Sequence, residues 1–168
     1  ALETLELEEC ERPFNLEVKD FPNLTKIRLT KLESPFSGLT LKQLPRLREL
    51  GLFNCSGPDK LHLDDLPELE EVELCFCTGL RDLTLWDLPN LNGVNLEGTE
   101  NLERVEATNL PLLEALPMDT PKLDFLNLEN LPALNQLDLS KCQALRYLDL
   151  SRLPRITVLD LEACEEFD

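Results

Sequence analysis

Leu66-Pro67-Glu68-Leu69-Glu70-Glu71-Val72-Glu73-Leu74 is followed three residues on by Cys77-Thr78-Gly79-Leu80-Arg81-Asp82-Leu83-Thr84-Leu85. Both lines place apolar residues at positions 1, 4, 7 and 9, and together they make a unit of about 22 residues. The unit recurs along the whole chain. The first apolar pairs begin at Leu5, Ile27, Leu50, Val72, Val94, Leu116, Leu137 and Leu159. The second pairs begin at Leu16, Leu39, Leu61, Leu83, Val105, Leu126 and Leu148. Self-similarity at this period is the signature of a repeat architecture.

A helix cannot use this pattern. At 100° per residue the four apolar positions scatter over roughly 200°, too wide for one buried stripe. On a strand, positions 7 and 9 share a face because side chains alternate. Proline decides between the two, for it follows the corner residue at Pro22, Pro45, Pro67, Pro89, Pro111, Pro132 and Pro154. Each would cost a helix interior about 3 kcal/mol or more, and each biases the residue before it towards extended backbone. The spacing therefore predicts a β-rich, right-handed solenoid with two short parallel strands per coil and little or no helix. Residues 1–168 read as a single domain of seven full repeats and a partial C-terminal one. The coil is one residue longer near Lys31 to Ser37 and one shorter near Asp119 to Pro121. Equal leucine burial is expected from coil to coil. With leucine a quarter of the chain and aromatics 5%, one side-chain shape is used repeatedly to fill a thin core.

The units Leu47-Arg48-Glu49-Leu50-Gly51-Leu52-Phe53-Asn54-Cys55 and Leu134-Asn135-Gln136-Leu137-Asp138-Leu139-Ser140-Lys141-Cys142 resemble leucine-rich repeats, and the resemblance covers essentially the whole chain. The nested half-repeat is similar to a short bacterial class of that family. The cysteine and Leu-Pro content is similar to repeats of plant intracellular immune receptors. Where such repeats carry an asparagine ladder, this chain has Cys10, Leu32, Cys55, Cys77, Thr99, Pro121 (or Thr120), Cys142 and Cys164. The resemblance implies a protein-recognition scaffold within a larger receptor or effector.

Five of the six cysteines share that phase, which predicts buried thiols donating weakly to turn carbonyls. Cross-coil disulfides between Cys55 and Cys77 or Cys142 and Cys164 are the rival, and zinc fits poorly because a ladder spreads its ligands along a line. Free thiols point to the cytoplasm; disulfides would place the chain outside the cell. Cys75 is the one cysteine expected to face outward and react quickly.

The net charge of −17 argues against nucleic acid and anionic membranes and suits a protein partner of basic character. No cofactor or metal is expected, and no enzyme: His62 is the only histidine, and it lies in the opposite sheet from Cys75, out of reach for a dyad. The first sheet's outward positions are mainly acidic, with Phe53 and Cys75 side by side as their only apolar spot. Those of the second sheet hold the single Trp, Tyr and His. The candidate partner-binding residues are therefore Trp86, Arg104, Phe125, Tyr147 and His62, since Trp, Tyr and Arg dominate interface energetics. Phe125 and Tyr147 are expected to stack as ladder neighbours, with Trp86 two coils away and one position along the strand. Neither end carries a recognisable polar cap, which a solenoid normally needs. The alternative reading is thus a structural subunit stacking end to end into fibres.

Overall fold

The computed structural model describes residues 2–10, 15–32 and 38–164. Most of the long coil at 31–37 and the last residues Glu166 to Asp168 lie outside them. In chain order the strands are β1 (Thr4–Glu8), β2 (Asn15–Lys19), β3 (Lys26–Thr30), β4 (Gly38–Lys42), β5 (Glu49–Phe53) and β6 (Lys60–Leu63). They continue with β7 (Glu71–Cys75), β8 (Asp82–Trp86), β9 (Gly93–Asn95), β10 (Arg104–Thr108), β11 (Phe125–Glu129) and β12 (Tyr147–Ser151). All pairings are parallel, no helix occurs among the described residues, and the chain forms a β-solenoid of about 6 turns at ~22-residue spacing. One sheet runs β1-β3-β5-β7-β9; the other runs β6-β8-β10-β11-β12, with β2-β4 as a separate pair.

The alternation places the leucines as expected. Ile27, Leu29, Leu50 and Leu52 of the first sheet and Leu61, Leu63, Leu83 and Leu85 of the second are buried in one core, joined by corner residues such as Leu44, Leu66 and Leu88. Each Leu-Pro corner is a tight turn with proline in its second position, where a fixed φ suits the turn and no amide is needed. The Leu47 amide donates to the Leu44 carbonyl at 3.1 Å, and Leu69 to Leu66 at 3.1 Å.

The opposite end of each strand turns by another device. Glu9, Asp20, Lys31, Gln43, Asn54, Asp65, Phe76, Asp87, Asn109, Asn130 and Arg152 all have positive φ, between 52° and 61°. Six of these eleven are Asn or Asp, the side chains that tolerate this region best. At eight of the eleven the bend aims the amide at the next coil: Asn54 donates to the Cys75 carbonyl at 2.9 Å and Asp87 to Thr108 at 3.0 Å. Phe76 is the bulky exception. Its ring lies over Gly98, where an added Cβ would come within 2.4 Å of a ring carbon.

Two expectations need correction. The first sheet loses its strands after β9; beyond it only an isolated bridge joins Ala115 and Gln136. The central outward position, from β9 onward, explains why. Where β1, β3, β5 and β7 carry Glu6, Arg28, Gly51 and Glu73, the later coils carry Asn95, Pro117, Asp138 and Asp160. Pro117 has no amide to give. The side chains of Asn95, Asp138 and Asp160 accept the amides of Glu97, Ser140 and Glu162 at 3.0, 2.9 and 3.0 Å, diverting the backbone from the ladder. Burial is also unequal from coil to coil: Leu83 is buried, while Leu137, on the strandless side, is only partly covered.

Candidate functional site

The second sheet presents three outward rows, because its strands pair in exact step. Lys60, Asp82, Arg104, Phe125 and Tyr147 form one row. Phe125 and Tyr147 stack as expected, centroids 4.3 Å apart and planes 3° from parallel. The Arg104 guanidinium sits 3.5 Å over the other side of the Phe125 ring. A cation over a ring face is attracted by the ring quadrupole. Arg104 Nε also donates to the Glu106 carboxylate at 2.9 Å, which fixes the plane that stacks. Arg104, Phe125 and Tyr147 thus make one rigid column along the solenoid.

Trp86 does not join it. The residue aligned with Phe125 on β8 is Asp82, so Trp86 lies two outward positions along the strand rather than one, in step with Thr108 and Glu129. Its partner is His62, whose ring meets the indole edge-on at 5.0 Å and 86°. His62 Nε2 lies 3.5 Å from the Asp64 carboxylate. The five candidates therefore fall into two groups on one face. Trp86 and Tyr147 remain 40% and 47% exposed, enough for a partner to bury much of each ring.

On the first sheet, Phe53 folds back over Gly51, where an added Cβ would come within 2.5 Å of the ring, and the Arg28 guanidinium stands 5.0 Å from its centroid. The acidic character of this face is partly neutralised between coils. Lys26 pairs with Glu49, and Lys31 reaches Glu9 at 2.9 Å and Glu8 at 3.4 Å. Those two carboxylates raise the Lys31 pKa.

All six cysteines are free thiols. The ladder positions behave as read from the sequence: Cys55 Sγ lies 3.5 Å from the Phe53 carbonyl, Cys77 Sγ 3.4 Å from that of Leu52, and Cys142 Sγ 3.5 Å from that of Met118. Thr99 and Thr120 complete the series as buried hydroxyls; Thr120, not the exposed Pro121, faces inward and meets Cys142 Sγ at 3.8 Å. The hydrogen-bonded Cys55 thiol beside it, with burial, pushes the Cys77 thiol far up. Cys75 is a correction. It takes an outward register position beside Phe53 but is only 8% exposed. Burial, and then the charges of Glu73 and Glu97, raise its pKa, so it lacks the thiolate character a reactive cysteine needs.

Two features of these faces were not read from the sequence. At the β8, β10 and β11 corners, Asn109 Nδ2 donates to Asp87 at 2.6 Å and Asn130 Nδ2 to Asn109 at 2.7 Å, an amide ladder on the side opposite the thiols. The signal was present as Asp87, Asn109 and Asn130, one after each of three successive second strands. The other is the missing pairing between β4 and β6, which the periodicity does not encode; the coil before β4 is the one with the extra residue.

Against known proteins, no family model matches the chain, and neither the curated proteins nor the solved structures contain a match.

Proposed function

We propose that this β-solenoid is a non-catalytic scaffold of leucine-rich-repeat type that recognises a protein partner through its second sheet, as part of a larger receptor or effector. The observation that carries the reading is the Arg104–Phe125–Tyr147 column, held by a cation–π contact and a parallel stack on three consecutive strands. Rigid amphipathic side chains lose little conformational freedom on binding and can be buried at low cost. The first sheet offers mainly carboxylates, whose desolvation is expensive unless a basic partner pairs each one.

Immobilised wild-type chain and single variants, each checked for an unchanged circular dichroism spectrum, provide the test. Proteins retained by wild type should be lost with Tyr147→Ala and with Trp86→Ala, each weakening the complex by about 1–4 kcal/mol. Glu71→Lys with Glu73→Lys should leave them bound. Retention that survives both aromatic changes and collapses with the lysine pair would assign recognition to the first sheet instead.

A further inference from the structure

The outward carboxylates of β8, β10, β11 and β12 fall into two classes. Asp82 pairs with Lys60 at 2.7 Å, Glu106 with Arg104 at 2.9 Å and Glu129 with Arg152 at 3.4 Å, so each of these has a cation supplied by the solenoid itself. Asp149, the central outward residue of β12, has none. Among the described residues no hydrogen bond or ion pair reaches its carboxylate, or the side-chain amide of Asn127 beside it. Arg146 stands three residues earlier in the chain, about 10 Å at strand spacing, and makes no ion pair with it.

Register puts this unpaired carboxylate inside the aromatic face. Glu106, Asn127 and Asp149 form one row across β10, β11 and β12, next to the row of Arg104, Phe125 and Tyr147. Asp149 follows Tyr147 by two residues, about 6.6 Å along the strand. A partner that covers the exposed Tyr147 ring therefore strips water from Asp149 as well. A carboxylate desolvated without a cation is heavily penalised. At Asp82, Glu106 and Glu129 the solenoid meets that cost with its own side chains; at Asp149 the cation must come from outside.

We propose, building on the second-sheet reading above, that the protein partner presents an arginine side chain to the Glu106–Asn127–Asp149 row. Its guanidinium lies over Asn127, between Asp149 and the second oxygen of Glu106, whose Oε1 holds Arg104 Nε. The strands that carry the two carboxylates are two spacings apart, about 9.6 Å. A planar fork placed between them can meet one carboxylate on each side through charge-assisted hydrogen bonds. The Asn127 side-chain carbonyl accepts a further N–H, and the aliphatic stem packs along the edges of Phe125 and Tyr147. Arg104 shows that this surface suits a guanidinium: it is stacked on Phe125 and anchored by a carboxylate of the adjacent row. The net charge of −17 draws such a partner in.

The probe is a capped five-residue peptide, ALRLA, titrated into isotope-labelled chain while the Asn127 side-chain amide and the Tyr147 ring are followed by NMR. Both resonances should move. The same peptide with citrulline, which keeps the planar shape without the charge, should bind at least tenfold more weakly, and with lysine at least threefold more weakly. Asp149→Asn should weaken ALRLA at least fivefold. Asp82→Asn removes an equal charge that Lys60 already matches, and should leave the affinity unchanged. The proposal is overturned by no binding of ALRLA at millimolar concentration, by equal binding of the citrulline or lysine peptide, or by an affinity that Asp149→Asn leaves unchanged. Equal losses in Asp149→Asn and Asp82→Asn would also overturn it, because net charge and not a site would then attract the peptide. A protein partner lost with Tyr147→Ala but kept by Asp149→Asn would sink the arginine alone and leave the column reading standing. A partner indifferent to both changes would sink the two together.

Discussion

The first sheet before and after Asn95 is the same repeat written with different central residues, and the difference decides whether a strand exists. Before it, Glu6, Arg28, Gly51 and Glu73 leave the backbone free, and β1, β3, β5 and β7 pair over their full length. From Asn95 on, three side-chain acceptors and a proline take that position, and the corner closes with tight turns such as Leu139–Cys142, where the Cys142 amide donates to the Leu139 carbonyl at 2.9 Å. The second sheet shows no such change across the same coils; β8, β10, β11 and β12 pair in step. A coil can therefore keep its buried leucines and its place in the array while one of its two sheets is dissolved. The face left intact is the one that carries the aromatic column.

The largest effects should come from the core, and they should be unequal. Leu83→Ala removes a fully buried side chain between two formed strands and should cost about 2–5 kcal/mol in denaturant unfolding. Leu137→Ala removes a half-covered side chain from the strandless side and should cost less than about 2 kcal/mol. Equal costs would mean that the two regions are packed alike and that the contrast is one of hydrogen bonding alone.

Thiol chemistry gives the next contrast. In the folded protein Cys10, the only cysteine not buried, should react first with a disulfide reagent, while Cys75 and the four buried ladder cysteines should wait for unfolding. All six should titrate under denaturing, non-reducing conditions if the chain works in a reducing compartment. Fast modification of Cys75 would show that its outward register position, and not its burial, governs access to the thiol.

A smaller effect sits in the Asp138 turn. Its carboxyl lies below the ordinary 3.8 because the Ser140 hydroxyl and then the Ser140 amide donate to it. Folding therefore favours the ionised form. The contribution is fully present above 3.8 and is lost as the pH falls through the lowered folded value. The Ser140 amide resonance should move in that acidic window in wild type and stay still in Asp138→Asn. The same movement in both would disconnect the turn from the carboxylate.

Much of this was legible in the sequence, because a period-2 alternation inside a 22-residue period admits one architecture, and proline at every second corner removes the helix. The inward ladder of Cys55, Cys77 and Cys142 and the stack of Phe125 on Tyr147 follow from register alone. What register does not carry is competition for a backbone amide. Asp138 and Glu73 both look like outward polar residues on a strand, yet Asp138 is one methylene shorter and reaches its own backbone two residues on. Nor does register report burial: Cys75 points outward by alternation and is still only 8% exposed. The placement of Trp86 was missed by counting outward rows wrongly; its indole packs on His62 one strand away, not on the column.

Residue-resolved amide hydrogen exchange tests the central contrast most directly. Slow exchange is expected throughout β8, β10 and β11 and within β5 and β7, with fast exchange at Ala115, Leu116 and Met118 and at 136–138. Pro117→Thr together with Asp138→Thr should slow exchange at both segments, as the ladder regains its amides. Uniform protection along the first sheet in wild type, or no change in the double variant, would contradict the claim that these side chains dissolve one face of the solenoid and leave the other to act.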